Sequence, residues 1–537
     1  MMTPYKTVVT DKLTTHIFAT RNEMGKAAAG DGAAFIRELQ KQQEYVNIIF
    51  AAAPSQNETL AHLVASEGID WSRVRAFHMD EYIGLPADAP QCFGNFLENA
   101  IFSKLPFKEV FYLREFQDAD TICEKYSELL MKYPVDIVFM GIGENAHIAF
   151  NDPHVADFND PELVKVVALD ETCRQQQVND GCFASIDKVP THAVTLTIPA
   201  LTAAKRLICS VPSTTKAAAA VKTVYGPIHN EVPATAMRMH DNATMYLDAD
   251  SGVHSLFPVS VITDEISQDI EVACQLAEKH HLAAIEIRSV NETPPEQLTD
   301  AQIAQILETA GRYDLQVSGL CSSVLKCQQG EDDEEKLHNA IRVAKKLGCR
   351  IVRAFSYFAS GDYDEAALIN KLQRYAEIAA KEDMVLVLEN EPSVNASTGQ
   401  KLADLLSKVA CSNVGALWDP GNNLYGVDEI AYPDGYGFIK GHIKHVHLKD
   451  AVRTAGETQG AALCKGEADF DGFLAALIKD GYDGYVTVET HYKKNATIDK
   501  DLLLRPFGSA FSDGGYESTD ECLENLFQCL HGLIIKG

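Results

Sequence analysis

The chain is poor in basic residues: 47 Lys and Arg stand against 76 Asp and Glu, a formal net charge of −29. Such a surface repels phosphate backbones, so nucleic acid is not an expected partner. Thirteen cysteines are scattered along the chain, but no two form a CxxC pair. An odd, unclustered set speaks against a disulfide framework and for reduced thiols in the cytoplasm. The first residues, MMTPYKTVVTDKLTTHIF, hold no apolar leader core, and no apolar run reaches the ~20 residues of a membrane-spanning helix. Neither a leader nor membrane insertion is expected. Internal repeats and low-complexity stretches are missing too. What is present is a globular composition, 46% hydrophobic, in 537 residues. That length is too great for one core and implies two or more domains.

The second half counts out in regular units. Short apolar runs begin at Pro258 (PVSVIT), Ala283 (AAIEIR), Leu315 (LQVSGL), Arg350 (RIVRAF), Met384 (MVLVLE), Val414 (VGALWD), Ile443 (IKHVHL) and Tyr485 (YVTVE). Helical periodicity lies between most of them, as in EEKLHNAIRVAKKLG, and the last helix is TDECLENLFQCLHGLI. Eight strand–helix units over residues 258–537 predict a (β/α)8 TIM barrel. A longer loop, Asp450 to Asp469, follows the seventh strand, and an irregular excursion from Leu502 to Glu517 precedes the last helix. Four strands end on Glu389, Asp419, His447 and Glu489. Side chains at the C-terminal ends of barrel strands point into the mouth where such barrels do chemistry. Three carboxylates and one imidazole suit a hard or borderline divalent ion. His445, beside His447, is expected to point away from the mouth; Glu286 and Lys449 are expected near it.

The first half, residues 1–252, is α/β but does not count to eight. An Ala-rich helix is expected from Asn22 to Gln42, capped by Asn22. The runs VNIIFAA, VRAFH, VDIVFM, AVTLTI and RLICSV are apolar on both faces and predict an open, Rossmann-like parallel sheet covered by helices. The stretch LDADSGVHSLF joins the two halves. Three clusters follow strands, where ligands of open α/β sheets bind: FHMDEYIGLP with Asp80 and Glu81, GIGENAHIAFNDP with His147 and Asp152, and VPSTTKAAAA with Lys216. A carboxylate there can act as a base, a His beside a carboxylate can shuttle a proton, and a Lys at a helix start can meet an anion.

MDEYIGLP, GIGENAHIAFNDP and the strand–Lys pattern at Lys216 resemble the glucosamine-6-phosphate deaminase family over about residues 10 to 250. The sister 6-phosphogluconolactonases share the fold but carry different loop motifs. The resemblance implies that Asp80 moves the proton between C1 and C2 of an aminosugar phosphate, that His147 with Asp152 helps open the ring, and that Lys216 binds the phosphate. Asn145 and Asp152 replace the family's Asp and Glu around that His. AAAPSQNE, residues 51–58, replaces its Gly-Gly-Thr phosphate loop, leaving Ser55 and Gln56 as donors. The family's phosphate-binding Arg has only an offset counterpart, Arg174.

Glu389, Asp419, His447 and Glu489 with their surroundings resemble the xylose isomerase-like TIM barrels, and in particular the single-metal pattern of the ketose 3-epimerases. The resemblance implies Mn²⁺ or Mg²⁺, with Zn²⁺ or Co²⁺ as alternatives, held by all four. It makes Glu389 and Glu489 the paired acid and base, and Arg453 a substrate contact. Asn422 stands where those enzymes carry a His. The whole reads as a cytoplasmic, homo-oligomeric sugar-catabolic enzyme: an aminosugar-phosphate deaminase/isomerase fused to a metal-dependent isomerase or epimerase. The alternative pairs a non-catalytic sugar-phosphate-binding module with a metal-dependent lyase or dehydratase.

Overall fold

A computed structural model of the protein describes residues 2–115, 119–454, 457–494 and 512–537. It divides into two compact units, Met1–Leu256 with Ile534–Gly537, and Phe257–Leu533. Among the described residues no helix is long and apolar enough to cross a membrane.

The first unit is built on an eight-stranded sheet. Its order is Lys6–Thr10, Leu13–Ile17, Ala243–Leu247, Arg206–Val211, Ile137–Met140, Val46–Phe50, Val74–His78 and Glu109–Phe111. Only the first pair is antiparallel. The four inner runs expected as parallel strands from their two-sided apolar pattern are all here, and Val46–Phe50 and Ile137–Met140 are buried at every position. The fifth, AVTLTI, is not. It pairs antiparallel with Asp80–Tyr82 and Val164–Ala168 in a separate three-stranded sheet. An apolar run reports burial, not the sheet that buries it. The Ala-rich helix spans Arg21–Gln42 and is capped by Thr20, not Asn22. Thr20 accepts the Glu23 N–H and the Glu23 carboxylate accepts the Thr20 N–H, a reciprocal pair that satisfies two free amides.

The second unit is a barrel of eight parallel strands: Val259–Val261, Ala284–Ile287, Gln316–Val324, Ile351–Ala354, Val385–Glu389, Val414–Trp418, Ile443–Leu448 and Val486–Val488. Val259–Val261 pairs with the last strand, and a single parallel bridge between Ile262 and Glu286 links it to the second, which closes the ring. Helices cover the outside through apolar stripes. In Glu334–Leu347 the buried residues are Leu337, Ala340, Ile341, Val343, Ala344 and Leu347, and Gly348 ends the helix at φ 77°. The loop expected after the seventh strand is partly a hairpin, Asp450–Thr454 with Glu457–Ala461. Most of the expected excursion, residues 502–511, lies outside the described residues. Its last part does not stay irregular, because the final helix already starts at Gly515.

Candidate functional sites

In the first unit, four neighbouring strands deliver their following loops to one cleft. These are the loops after Phe50, His78, Met140 and Val211. They bring Ser55, Asp80, His147 and Lys216 together along its wall. Asp80 is held in register by pairing with Thr195. Its carboxyl is buried, and burial first, then the neighbouring Glu81, raise it well above the usual carboxylate range. Glu81 itself accepts the N–H groups of Tyr82, Phe93 and Gly94, which makes it an anchor for the helix that follows. Lys216 precedes the helix Ala217–Tyr225. Its Nζ is buried and makes no hydrogen bond, and burial lowers its pKa.

The His147 loop is folded by its own side chains. His147 Nδ1 lies 2.7 Å from Asn145 Oδ1 and 3.1 Å from Asp152 Oδ1. Asn145 Nδ2 donates to Asp152 Oδ1 at 3.2 Å and to Asp170 Oδ2 at 2.9 Å. Asp152 is fully buried. Burial pushes it up, but the His147 ring and the other donors outweigh that and hold its carboxyl below the usual range. The charge beside His147 therefore comes from Asp152, and Asn145 ties two carboxylates together. A Cβ at Gly143 would lie 2.2 Å from the His147 ring, so only glycine lets the loop close over it.

Gln56 stands behind the cleft wall and donates to Ser55 Oγ and the Ser210 carbonyl. Arg174 donates to the carbonyls of Ile186 and Val189 and serves the local fold. The sequence reading missed Arg21, Gln176 and Gln177, which line the cleft. Arg21 also pairs with Glu58 at 2.8 Å. Its signal was the same as for Lys216, a cation just after a parallel strand, but Leu13–Ile17 had not been recognised as a strand.

In the barrel, Glu389, Asp419, His447 and Glu489 converge, with one ligand atom of each within 4.8 Å of the others, all buried. The cluster is strongly neutralised. Lys449 Nζ lies 3.0 Å from Asp419 Oδ2 and 2.9 Å from Glu489 Oε2. Arg288 Nη1 meets Glu489 Oε1 at 3.0 Å, and Arg353 Nη1 meets Glu389 Oε2 at 3.0 Å. Asn422 donates to Glu389 Oε1 at 3.0 Å. Asp419 accepts the Gly421 N–H, and burial, opposed by Lys449, pushes its pKa up to about 7.

His445 and His447 lie two residues apart, and side chains two apart on a strand share a face. The expectation that His445 points away is therefore corrected: both rings reach Glu286, at 2.8 and 3.2 Å. Burial opposes the Glu286 charge, but the two rings outweigh it and hold its pKa well below the usual range. With Nε2 on Glu286, His447 Nδ1 remains buried without a hydrogen bond, 3.6 Å from Glu489 Oε2, whereas Asp419 Oδ2 is held by Lys449. One orphaned ring nitrogen, a carboxylate bound to the far side of the same ring and three buried carboxylates fit a divalent ion. Arg453 stands apart. It lies on the exposed hairpin and pairs with Glu467 at 2.9 Å, outside the cavity.

The family described as glucosamine-6-phosphate isomerases/6-phosphogluconolactonase matches residues 19–246, and the xylose isomerase-like TIM barrel family matches residues 274–505. A glucosamine-6-phosphate deaminase of Listeria welshimeri is 36% identical over 208 residues, 38% of this chain and 86% of the relative. One from Streptococcus pneumoniae is 34% identical over 202 residues, 37% and 84% respectively. Among solved structures, a monomeric glucosamine-6-phosphate deaminase is 26% identical with a TM-score of 0.41, covering 44% of this chain and 98% of its own. A xylose isomerase domain protein from Planctomyces limnophilus is 18% identical with a TM-score of 0.37, covering 44% and 91%. Through its first half the chain thus belongs to the glucosamine-6-phosphate isomerase/6-phosphogluconolactonase family, and it carries that domain fused to a xylose isomerase-like TIM barrel.

Proposed function

We propose that the chain is a bifunctional enzyme of sugar catabolism, with residues 1–252 deaminating and isomerising an aminosugar phosphate and residues 258–537 isomerising or epimerising a sugar. The observation that carries the first activity is the convergence of Asp80, His147 and the unpartnered Lys216 on one cleft. Lys216, with Arg21 and Ser55, receives the phosphate: the ammonium lacks a protein partner and an anion supplies one. Asp80, whose proton affinity is raised by burial, takes the proton from one sugar carbon and returns it to the next. His147 moves the ring-oxygen proton, steadied by Asp152 and oriented by Asn145. Release of ammonia from glucosamine 6-phosphate tests this. A wild-type chain that released none from any aminosugar phosphate would leave a binding module instead.

In the barrel, Glu389, Asp419, His447 and Glu489 would hold a divalent ion, Mn²⁺ or Mg²⁺, with Nδ1 as the free nitrogen of His447. Such an ion would supply Lewis acidity toward sugar oxygens and ease loss of a neighbouring carbon-bound proton. Glu389 and Glu489 act as the acid and base, and Arg353, Arg288 and Lys449 hold their carboxylates in place. Metal analysis of the purified chain, followed by product mass, tests the reading. Loss of 18 Da, one water, would mark a dehydratase (~18 Da by stoichiometry).

A further inference from the structure

A cavity opens above the barrel cluster. Three cations line it: Lys326, Arg353 and Lys449. Two of them are committed. Arg353 is bound to Glu389 and to the carbonyls of Cys321 and Ser322, and Lys449 to Asp419 and Glu489. Lys326 is different. Its Nζ lies over the face of Phe355, 4.6 Å from the ring centre. The acid beside it, Glu391 Oε2, is 3.9 Å away, beyond hydrogen-bond reach, and takes the N–H and hydroxyl of Ser393 instead. The Tyr425 hydroxyl, also on the cavity wall, is buried and makes no hydrogen bond. One ammonium and one phenol thus face the cavity with donors unspent.

Resting on the metal-dependent reading of the same site, we infer that the barrel acts on a sugar acid, whose carboxylate is anchored by Lys326 and the Tyr425 hydroxyl while its hydroxyl and carbonyl oxygens lie over Glu389 and Glu489. The assignment is to a carboxylate and not to a phosphate. Phosphate sites commonly add guanidinium forks or clusters of backbone N–H groups to a Lys point charge, and the guanidinium on this wall is spent on Glu389. A point charge with one hydroxyl suits a planar monoanion. The first unit differs: its cleft is lined by Lys216, Arg21 and Ser55 together, with Lys216 and Arg21 each at the start of a helix.

The test is calorimetric binding to the full chain loaded with Mn²⁺, using three probes that differ only at C6: D-fructose, D-fructuronate and D-fructose 6-phosphate. The wild type should bind D-fructuronate at least about tenfold more tightly than D-fructose, the order of one added charge-assisted contact. Lys326→Met should level the two, and Lys326→Arg should keep the preference. Mn²⁺ content should stay at the wild-type value in both variants, which a general collapse of the site would not allow. Equal or absent binding of D-fructose and D-fructuronate by the Mn²⁺-loaded wild type would overturn the inference, and that comparison stands even if Lys326→Met does not fold. A preference that survives Lys326→Met would overturn it too, as would a Lys326-dependent preference for the phosphate over the carboxylate. Phosphate binding indifferent to Lys326 belongs to the first unit and leaves the expected carboxylate preference as the deciding result. A wild-type chain that takes up no Mn²⁺ fails the metal reading itself, before any sugar is added.

Discussion

The two sites solve opposite electrostatic problems. In the first unit a buried ammonium, Lys216, is left without a hydrogen bond, and its cleft is short of an anion. In the barrel three carboxylates crowd one point, and Arg288, Arg353 and Lys449 are drawn in to balance them. A buried charge that the protein does not pair is costly unless a ligand pairs it. On the proposed reading the first site takes an anionic substrate, and the second takes a cation first, with Lys326 at its edge left for the substrate. The difference also fixes how each site fails. Removing a group from the barrel cluster breaks ion pairs and disturbs the fold, whereas removing one from the first cleft mainly disturbs chemistry.

The strongest way to break this comparison is Glu489→Gln. It removes a carboxylate that binds both Arg288 and Lys449, so divalent-ion uptake should be lost. The barrel should also lose about 3–5 kcal/mol, the usual cost of breaking a buried pair. Metal content and denaturant unfolding measure the two effects. A variant that kept full stability would show that the cluster is not self-neutralised as described. Asp80→Asn should act the other way, cutting ammonia release by about 10²–10⁴-fold with the fold intact. An unchanged rate would remove Asp80 from the mechanism.

Asn145→Asp sharpens the contrast inside the first unit. Asn145 donates to both Asp152 and Asp170, so a carboxylate there removes two donors and sets three acids together. Stability should fall by about 1–3 kcal/mol, and ammonia release should not rise. Faster glucosamine 6-phosphate turnover would show that the missing charge, and not the donor bridge, limits this site. The smallest expected effect is the pH response of Asp80. Its folded pKa is raised above the ordinary value of 3.8, so the folded state holds the proton longer than the unfolded chain does. Stability therefore falls as pH rises from about 3.8 through the raised value. Asp80→Asn removes that loss. The variant should melt with the wild type at acid pH and above it near pH 8, where a gain of about 1 kcal/mol would read as about 2–4 °C. A melting difference that does not change with pH would contradict the assigned burial of this carboxyl.

Much of this was legible in the chain. Eight apolar runs announced eight barrel strands, because strands buried on both faces must be apolar throughout. Each of the four ligand candidates stood at the end of such a run, and position at a strand end is a local property. Asp80, His147 and Lys216 followed strands in the same way. What the sequence could not decide was partnership. AVTLTI was readable as a buried strand but not as a member of the small antiparallel sheet. Arg453 was readable as a cation but not as the partner of Glu467, and Arg174 not as a clamp on two carbonyls. Lys326 and Arg353 were invisible as site residues because the groups they meet, Phe355 and Glu389, stand at the ends of other strands, and Arg21 was hidden only because Leu13–Ile17 does not read as a strand. Local periodicity sets which residues are buried and which stand at strand ends, because backbone geometry repeats over a few residues. Which buried charges meet, and which is left over to receive a ligand, depends on strand order and on distances across the sheet and the barrel, and only the tertiary structure settles those.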